Sequence, residues 1–310
     1  MPQLHQSVLL AETLELLAVE RGGQFVDCTL GLGGHAEALL DRSPAARLLG
    51  IDRDPAALAL ASQRLARFGD RARLVEGDFR DLAELCAEQL PAGVRPCGIY
   101  ADLGVSSLQL DVAERGFSFQ REGPLDMRMG RGGATAAELV NSASEDDLTT
   151  LFREYGEEPE ARRVARAIVT QRRTHRIDTT TSLAEVVRRA KHRRRSQGER
   201  IDPATRVFQA LRIAVNEELA AVEHLLDAAM RLLERDGRLV IISFHSLEDR
   251  IVKNRIRDLA RGEVDPTTGR TRSETRVLEV LTKKPVRPSL PEVEANPRAR
   301  SARLRAARRL

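Results

Sequence analysis

The sequence predicts an α/β fold, a doubly wound parallel sheet interrupted by an all-helical insertion, and three observations predict it. Four short apolar runs, each followed by a helix-forming stretch, occupy residues 25–104. From Val105 to about Thr205 the pattern is helical with no clear strand. Sheet-like alternation then resumes, most convincingly at Leu239-Val240-Ile241-Ile242. Strands alternating with helices imply a parallel sheet with right-handed crossovers. The expected division is residues 1–108 and 206–310 for the sheet domain and 109–205 for the inserted helical domain.

Taken in order, His5 to Ala18 reads as an amphipathic helix, because Val8, Leu9, Leu10, Leu14, Leu16 and Leu17 surround Glu12 and Glu15. Phe25-Val26-Asp27-Cys28-Thr29-Leu30-Gly31-Leu32-Gly33-Gly34-His35 is a strand that breaks into a glycine turn and then a helix. Glycines allow positive φ and close backbone approach, and the helix aims its positive N-terminal end into the same crevice. Arg47 to Ile51 is the second strand and ends in Asp52, 21 positions after Gly31, where an acidic side chain suits ribose hydroxyls. Pro55 opens a helix, Arg73 to Phe79 is a third strand, Asp81 to Leu90 a helix, and Gly98 to Gly104 a fourth strand.

Ligands of such sheets sit at the carboxyl ends of the strands. Each end carries a polar group here: the Gly31 to His35 turn, Asp52, Asp78 beside Phe79, and Asp102. The glycine-rich connection from Arg115 to Met129 reads as an irregular lip leaving the sheet. Helices are expected at Glu145 to Tyr155, Pro159 to Arg173, Ser182 to Arg195, across 205–235 and at Leu247 to Leu259. A late strand covers Val277 to Leu281, and a proline-punctuated tail follows.

At 310 residues and 42% hydrophobic the chain can bury a substantial core. No apolar run approaches the roughly 18 residues of a membrane span, and the N-terminus lacks the pattern of a signal peptide, so the expected location is cytoplasmic. Cys28, Cys86 and Cys97 lie far apart and suggest neither a disulfide framework nor a metal site. The net charge of +4 hides an asymmetry, since residues 161–200 hold 13 Lys/Arg against 3 Asp/Glu. Six arginines and no acid fall between Arg298 and Arg309. Such clusters are the footprint of a polyanion partner, although a solvated helix face is equally compatible.

The runs Gly31 to His35, Asp102 to Ser107 with Gln109, Glu114 to Phe119, Gly123 to Met129, Thr205 to Leu219, Ser243 to Lys253 and Asn296 to Arg300 resemble the MraW (RsmH) family of ribosomal RNA small subunit methyltransferases. The resemblance spans nearly the whole chain, and Ser243-Phe244-His245-Ser246-Leu247-Glu248-Asp249-Arg250 is its most specific segment. It implies a Rossmann-like class I methyltransferase sheet and transfer of a methyl group from S-adenosyl-L-methionine to the N4 amine of cytosine 1402 in 16S rRNA. Cofactor contacts carried over by it are Gly33, Gly34, His35, Asp52, Phe79, Asp102 and Gln109. Asp102, or the carbonyl near Leu103, is the candidate to hold the target amine. The usual Asn/Asp/Ser-Pro-Pro-aromatic motif of amino methyltransferases is replaced by Asp102-Leu103-Gly104-Val105, a departure that the family shares.

For the RNA, Phe117 and Phe244 are candidates to stack on the base, Ser243 and His245 to contact it, and Arg193, Arg194 and Arg195 to meet phosphates. The whole block from Arg188 to Arg195 and the arginine tail are assigned the same phosphate role. The expected partner is 16S rRNA within the small ribosomal subunit, with no membrane and no metal; oligomeric state stays open, a homodimer being one compatible assembly. Two rival readings also stay open. Gly31-x-Gly33-x-x-Ala36 fits the loose dinucleotide fingerprint of an oxidoreductase, and an RNA-binding assembly factor could keep the fold without the activity.

Overall fold

The computed structural model describes residues 7–105, 110–130, 132–191, 202–263 and 271–310. The chain forms two compact units: residues 1–104 with 219–310, and residues 105–218.

The first unit opens with helix α1 (Leu10–Leu17), then β1 (Gly23–Asp27), α2 (Gly34–Arg42), β2 (Ala46–Asp52), α3 (Pro55–Leu65), β3 (Ala72–Glu76), α4 (Leu82–Gln89) and β4 (Gly98–Asp102). Local chemistry sets several of these limits. Asp54 caps α3 by accepting the Ala56 N–H, and Pro55 at the first helical position supplies a preset φ without losing a needed donor. In the second unit lie α5 (Ala136–Ser142), α6 (Glu145–Glu154), α7 (Ala161–Arg172), α8 (Thr180–Lys191) and α9 (Thr205–Asn216). Helices α5 and α6 each begin in a reciprocal capping box, Thr135 with Glu138 and Ser144 with Asp147. The chain then supplies α10 (Glu218–Leu232), β5 (Arg238–Ser243), α11 (Ser246–Arg261), β6 (Leu278–Val280), α12 (Leu290–Ala295) and β7 (Arg303–Arg309).

The sheet has seven strands in the order β3-β2-β1-β4-β5-β7-β6, with β7 antiparallel to both its neighbours and the other pairings parallel. Strand order reverses between β1 and β4, which makes the crevice outside their carboxyl ends the expected ligand position. Both faces are covered, so the strands alternate between two cores. Phe25, Leu48, Tyr100 and Val240 enter one, and Val26, Leu49, Ile99 and Ile241 the other. That double burial explains why the strands read as unbroken apolar runs.

Three expectations need correction. The proline-punctuated tail after Leu281 ends in a strand that was not expected, because β7 fills the gap between β5 and β6 and buries Leu304, Ala306 and Ala307. Residues 205–235 are two helices, broken where Glu217 takes a φ of 50°. Helix α9, expected with the sheet, belongs to the second unit because Val207, Phe208 and Leu211 pack in its core with Leu148, Phe152 and Val164. The three cysteines are free and buried. Among the described residues no helix is long and apolar enough to cross a membrane.

Candidate active site

The turn after β1 is pinned to the end of β2. The Leu30 N–H donates to the Ile51 carbonyl at 2.9 Å, and the Gly31 N–H donates to Asp52 Oδ2 at 2.7 Å. Gly31 and Gly33 have φ of 53° and 76°, in the left-handed region that favours glycine. A Cβ on Gly31 would meet only the Thr29 carbonyl oxygen, at 3.8 Å, so backbone is open to a ligand there. Gly34 serves a different purpose. A Cβ on it would lie 2.2 Å from Ser7 Oγ, so the missing side chain makes room for the segment before α1. The His35 ring is turned the same way: its Nε2 lies 3.0 Å from the Val8 carbonyl oxygen, and it packs edge-on against Tyr100. What remains for a ligand at Gly34 and His35 is the N-terminal end of α2.

Asp52 accepts from Gly31 through Oδ2 and from the Asp54 N–H through Oδ1, at 2.8 Å. Burial raises its pKa above the ordinary 3.8, and those two N–H donors oppose the rise. Each oxygen keeps a lone pair for a hydroxyl. Beyond β3, Asp78 caps a short turn by accepting the Arg80 N–H at 2.9 Å, and it pairs with Arg53 at 3.2 Å. This fixes the start of the turn at Phe79, whose half-buried ring packs against the same core as Leu82.

A buried polar cluster lies at the ends of β1 and β4. Tyr100 donates its hydroxyl to Asp27 Oδ2 at 2.5 Å, the Thr29 N–H donates to Asp27 Oδ1 at 3.0 Å, and the Asp102 N–H donates to Thr29 Oγ1 at 2.6 Å. Asp102 Oδ1 is buried and has no hydrogen-bond partner among the described residues. Burial pushes the Asp102 carboxyl up to about 8, and the fields of Asp27 and Glu248 add to the effect. Asp27 is pushed up to about 7 by burial, against the hydrogen bonds from Tyr100 and Thr29. Asp27, Thr29, Tyr100 and Glu248 escaped the sequence reading as site residues, although acids and hydroxyls inside apolar runs such as Phe25-Val26-Asp27 and Ile99-Tyr100-Ala101-Asp102 were a visible signal.

At the end of β5, a Cβ on Gly104 would lie 3.4 Å from Phe244 Cδ2, so Phe244 covers the residue that leaves β4. Its neighbours are committed to the fold. Ser243 is buried and donates to the Arg303 carbonyl at 3.3 Å. His245 caps α11, its Nδ1 accepting the Glu248 N–H at 3.4 Å while Nε2 lies 3.2 Å from Glu248 Oε1. In the second unit Phe117 is only 8% exposed within the helical core, which corrects its expected stacking role. Gln109, Arg193, Arg194 and Arg195 lie outside the described residues. The structure thus brings Gly31, Gly33, Asp52, Asp102 and Phe244 to adjacent strand ends, and it assigns Ser243, His245 and Phe117 to capping and packing.

The basic block is also divided. Arg188 pairs with Asp202 at 2.9 Å and Lys191 with the buried Glu158 at 2.8 Å, so both tie the helical unit together. Arg189 is exposed, as are Arg162 and Arg173, and no ion pair links any of these three to another described residue. A groove of about 570 Å³ on the α7 and α8 side of this unit is lined by Arg163, Arg166, Arg189, Thr170, Gln171 and Thr174. In the C-terminal strand Arg305 is buried against Asp249 at 2.6 Å, and Arg308 meets Asp236 and Glu279, so these side chains are struts of the sheet.

Comparison with known proteins bears on this site. Ribosomal RNA small subunit methyltransferase H of Geotalea uraniireducens is 48% identical over 310 residues, covering 99% of this chain and 98% of its own. The protein of the same name from Trichlorobacter lovleyi is 49% identical over 311 residues, with 99% and 98% covered. That from Gloeobacter violaceus is 51% identical over 309 residues, with 99% and 88% covered. The MraW methylase family matches residues 2–310, and the chain belongs to that family.

Proposed function

We propose that this protein transfers the methyl group of S-adenosyl-L-methionine to the N4 amine of cytosine 1402 in 16S rRNA of the small ribosomal subunit. The observation that supports it most is the unpartnered buried oxygen of Asp102, beside an open glycine turn and across that turn from Asp52. These residues fit a nucleoside-bearing methyl donor: Asp52 has lone pairs for ribose hydroxyls, Phe79 an apolar ring near the end of β3, and Gly31 a backbone that a ligand can approach. The relatives named above carry the substrate class in their names.

The cofactor supplies an electrophilic methyl group on sulfur; the chain's residues position what attacks it. When bound, that donor would give up its methyl carbon to the amine nitrogen as the carbon–sulfur bond breaks, leaving a neutral thioether, and one amine proton would pass to solvent. The cytosine amine is a weak nucleophile because its lone pair is delocalised, so a carboxylate accepting its N–H bends it toward attack. That role is assigned to Asp102, whose backbone N–H donates to Thr29 Oγ1. Phe244, over Gly104, is the remaining aromatic candidate to stack on an extruded base. Alignment at attack distance supplies on the order of 7–11 kcal/mol in favourable cases, so no separate strong base is required. The helical unit recognises the RNA through its exposed arginines, including Arg162, Arg173 and Arg189, and through Arg193 to Arg195.

The test is transfer of labelled methyl to small subunits lacking the modification, followed by nucleoside mass spectrometry. N4-methylcytosine at position 1402 is expected. Label on another atom or nucleotide would overturn the base assignment, and label in protein instead of RNA would overturn the substrate class.

A further inference from the structure

We propose that the buried acidic cluster at the ends of β1 and β4 is a counter-charge for the sulfonium of the methyl donor, so that taking up the donor expels a proton and the neutral thioether product is distinguished from it by charge. This deepens the reading above and rests on it.

The geometry is a set of acids within reach of one another's charge, with Thr29 bonded to Asp27 through its N–H and to the Asp102 N–H through its Oγ1. Asp27 contributes from β1, Asp102 from β4, and Glu248 from α11, with the Tyr100 hydroxyl between the strands. The other titratable groups around them are the Cys28 thiol on the β1 turn, Asp52 at the end of β2, His35 against the Tyr100 ring, and His245 against Glu248. Neither Asp27 nor Asp102 has an arginine or lysine partner among the described residues. Buried carboxylates without a cation cannot all ionise, and one of them must hold a proton. The holder is decided by hydrogen bonding. Asp27 receives two donors and Glu248 receives the Phe244 N–H at 3.0 Å, whereas Asp102 Oδ1 receives none. The upward shift of Asp102 to about 8 agrees with that assignment.

A fixed positive charge beside Asp102 favours its ionised form. Below the free-state pKa of about 8, binding a cation must therefore expel a proton, and affinity climbs as the pH rises toward that value. The limiting slope is about tenfold per pH unit for one proton, and it vanishes above the pKa. S-adenosylmethionine and S-adenosylhomocysteine share every other ionisable group and differ by a methyl and a charge. Once the different α-ammonium titrations of the two free ligands are measured and subtracted, a pocket that discriminates by the volume of the methyl gives a ratio of affinities independent of pH; one that discriminates by charge does not.

The experiment is isothermal titration calorimetry of the whole protein with each ligand, between pH 6.5 and 9, in buffers of different ionisation enthalpy. The expected result is release of up to about one proton on binding S-adenosylmethionine near pH 7, little on binding S-adenosylhomocysteine, and an affinity ratio that rises with pH and levels off near 8. Asp27→Asn keeps an acceptor for Tyr100 and removes a neighbouring charge, so it should move the levelling-off to lower pH. Equal proton release by both ligands, or a ratio flat with pH, overturns the proposal while leaving the methyl-donor reading intact. Binding of neither ligand at any pH overturns that reading and this proposal with it.

Discussion

Asp249→Ala offers a sharp test of the C-terminal strand. Asp249 holds Arg305 through Nε at 2.6 Å and Nη2 at 3.2 Å, and Arg303 at 3.2 Å. The side chains of Arg305 and Asp249 are only 10% and 11% exposed. Removing the carboxylate leaves a buried guanidinium without its counter-charge, which costs about 3–5 kcal/mol. Against a total stability of about 5–15 kcal/mol for an ordinary domain, that is a large fraction. Urea unfolding followed by circular dichroism should show a much lower midpoint with little change in slope. The double variant Asp249→Ala with Arg305→Met removes the stranded charge and keeps apolar bulk, so it should recover most of the loss. A single-variant cost below about 1 kcal/mol, or no recovery in the double, would refute a strut role for this pair. The pH dependence has a definite sign. Burial raises the Asp249 pKa, but the hydrogen bonds and charges of Arg305 and Arg303 outweigh it and hold the carboxyl below 3.8. Its contribution is therefore present above pH 3.8 and is lost as the pH falls through the lower folded value.

Asp102 should behave in the opposite way: with a folded pKa of about 8 against an ordinary 3.8, its neutral form is the stable one, and ligand-free stability falls as the pH rises through that window. The slope is at most about 1.4 kcal/mol per pH unit, and the difference between the wild type and Asp102→Asn in thermal melts from pH 5 to 9 isolates it; a constant difference would argue against a buried protonated acid. Gly31→Ala should cost about 1–2 kcal/mol of stability because φ is 53°, and it should weaken donor binding by calorimetry; unchanged stability would mean that the turn relaxes cheaply. Reversing charge at Arg173 and Arg189 should weaken RNA binding at all sequences and lower the salt slope by roughly one for each phosphate no longer neutralised. An unchanged slope would place the RNA elsewhere.

Much of the sheet was legible because burial on both faces forces unbroken apolar runs, and β1, β2, β4 and β5 carry them. Candidate site positions at strand ends were legible for the same reason: Asp52 and Asp102 each terminate an apolar run, where an acid stands out. Glycines were less informative. Gly31 and Gly34 look alike in sequence, yet one faces open space and the other makes room for Ser7, a neighbour 27 positions away. His35 and His245 show the same limit, since each stands beside a conspicuous motif and also meets a partner that only the fold supplies, Val8 for the first and Glu248 for the second.

The arginines show most clearly where one-dimensional reading stops. Arg188 and Arg189 are adjacent, identical in chemistry and part of one basic run, but Asp202 takes the first and no described acid takes the second. The same division separates Arg305, buried on Asp249, from the surface arginines of α7. What decides is whether an acid from elsewhere in the chain arrives within about 3 Å, and that depends on the fold. A charge already neutralised by its own protein must break that pair before it can hold a phosphate. Charge density therefore overstates the surface available to RNA, and subtracting the paired side chains removes Arg188, Lys191, Arg305 and Arg308 from the expected footprint while leaving the exposed Arg162, Arg173 and Arg189.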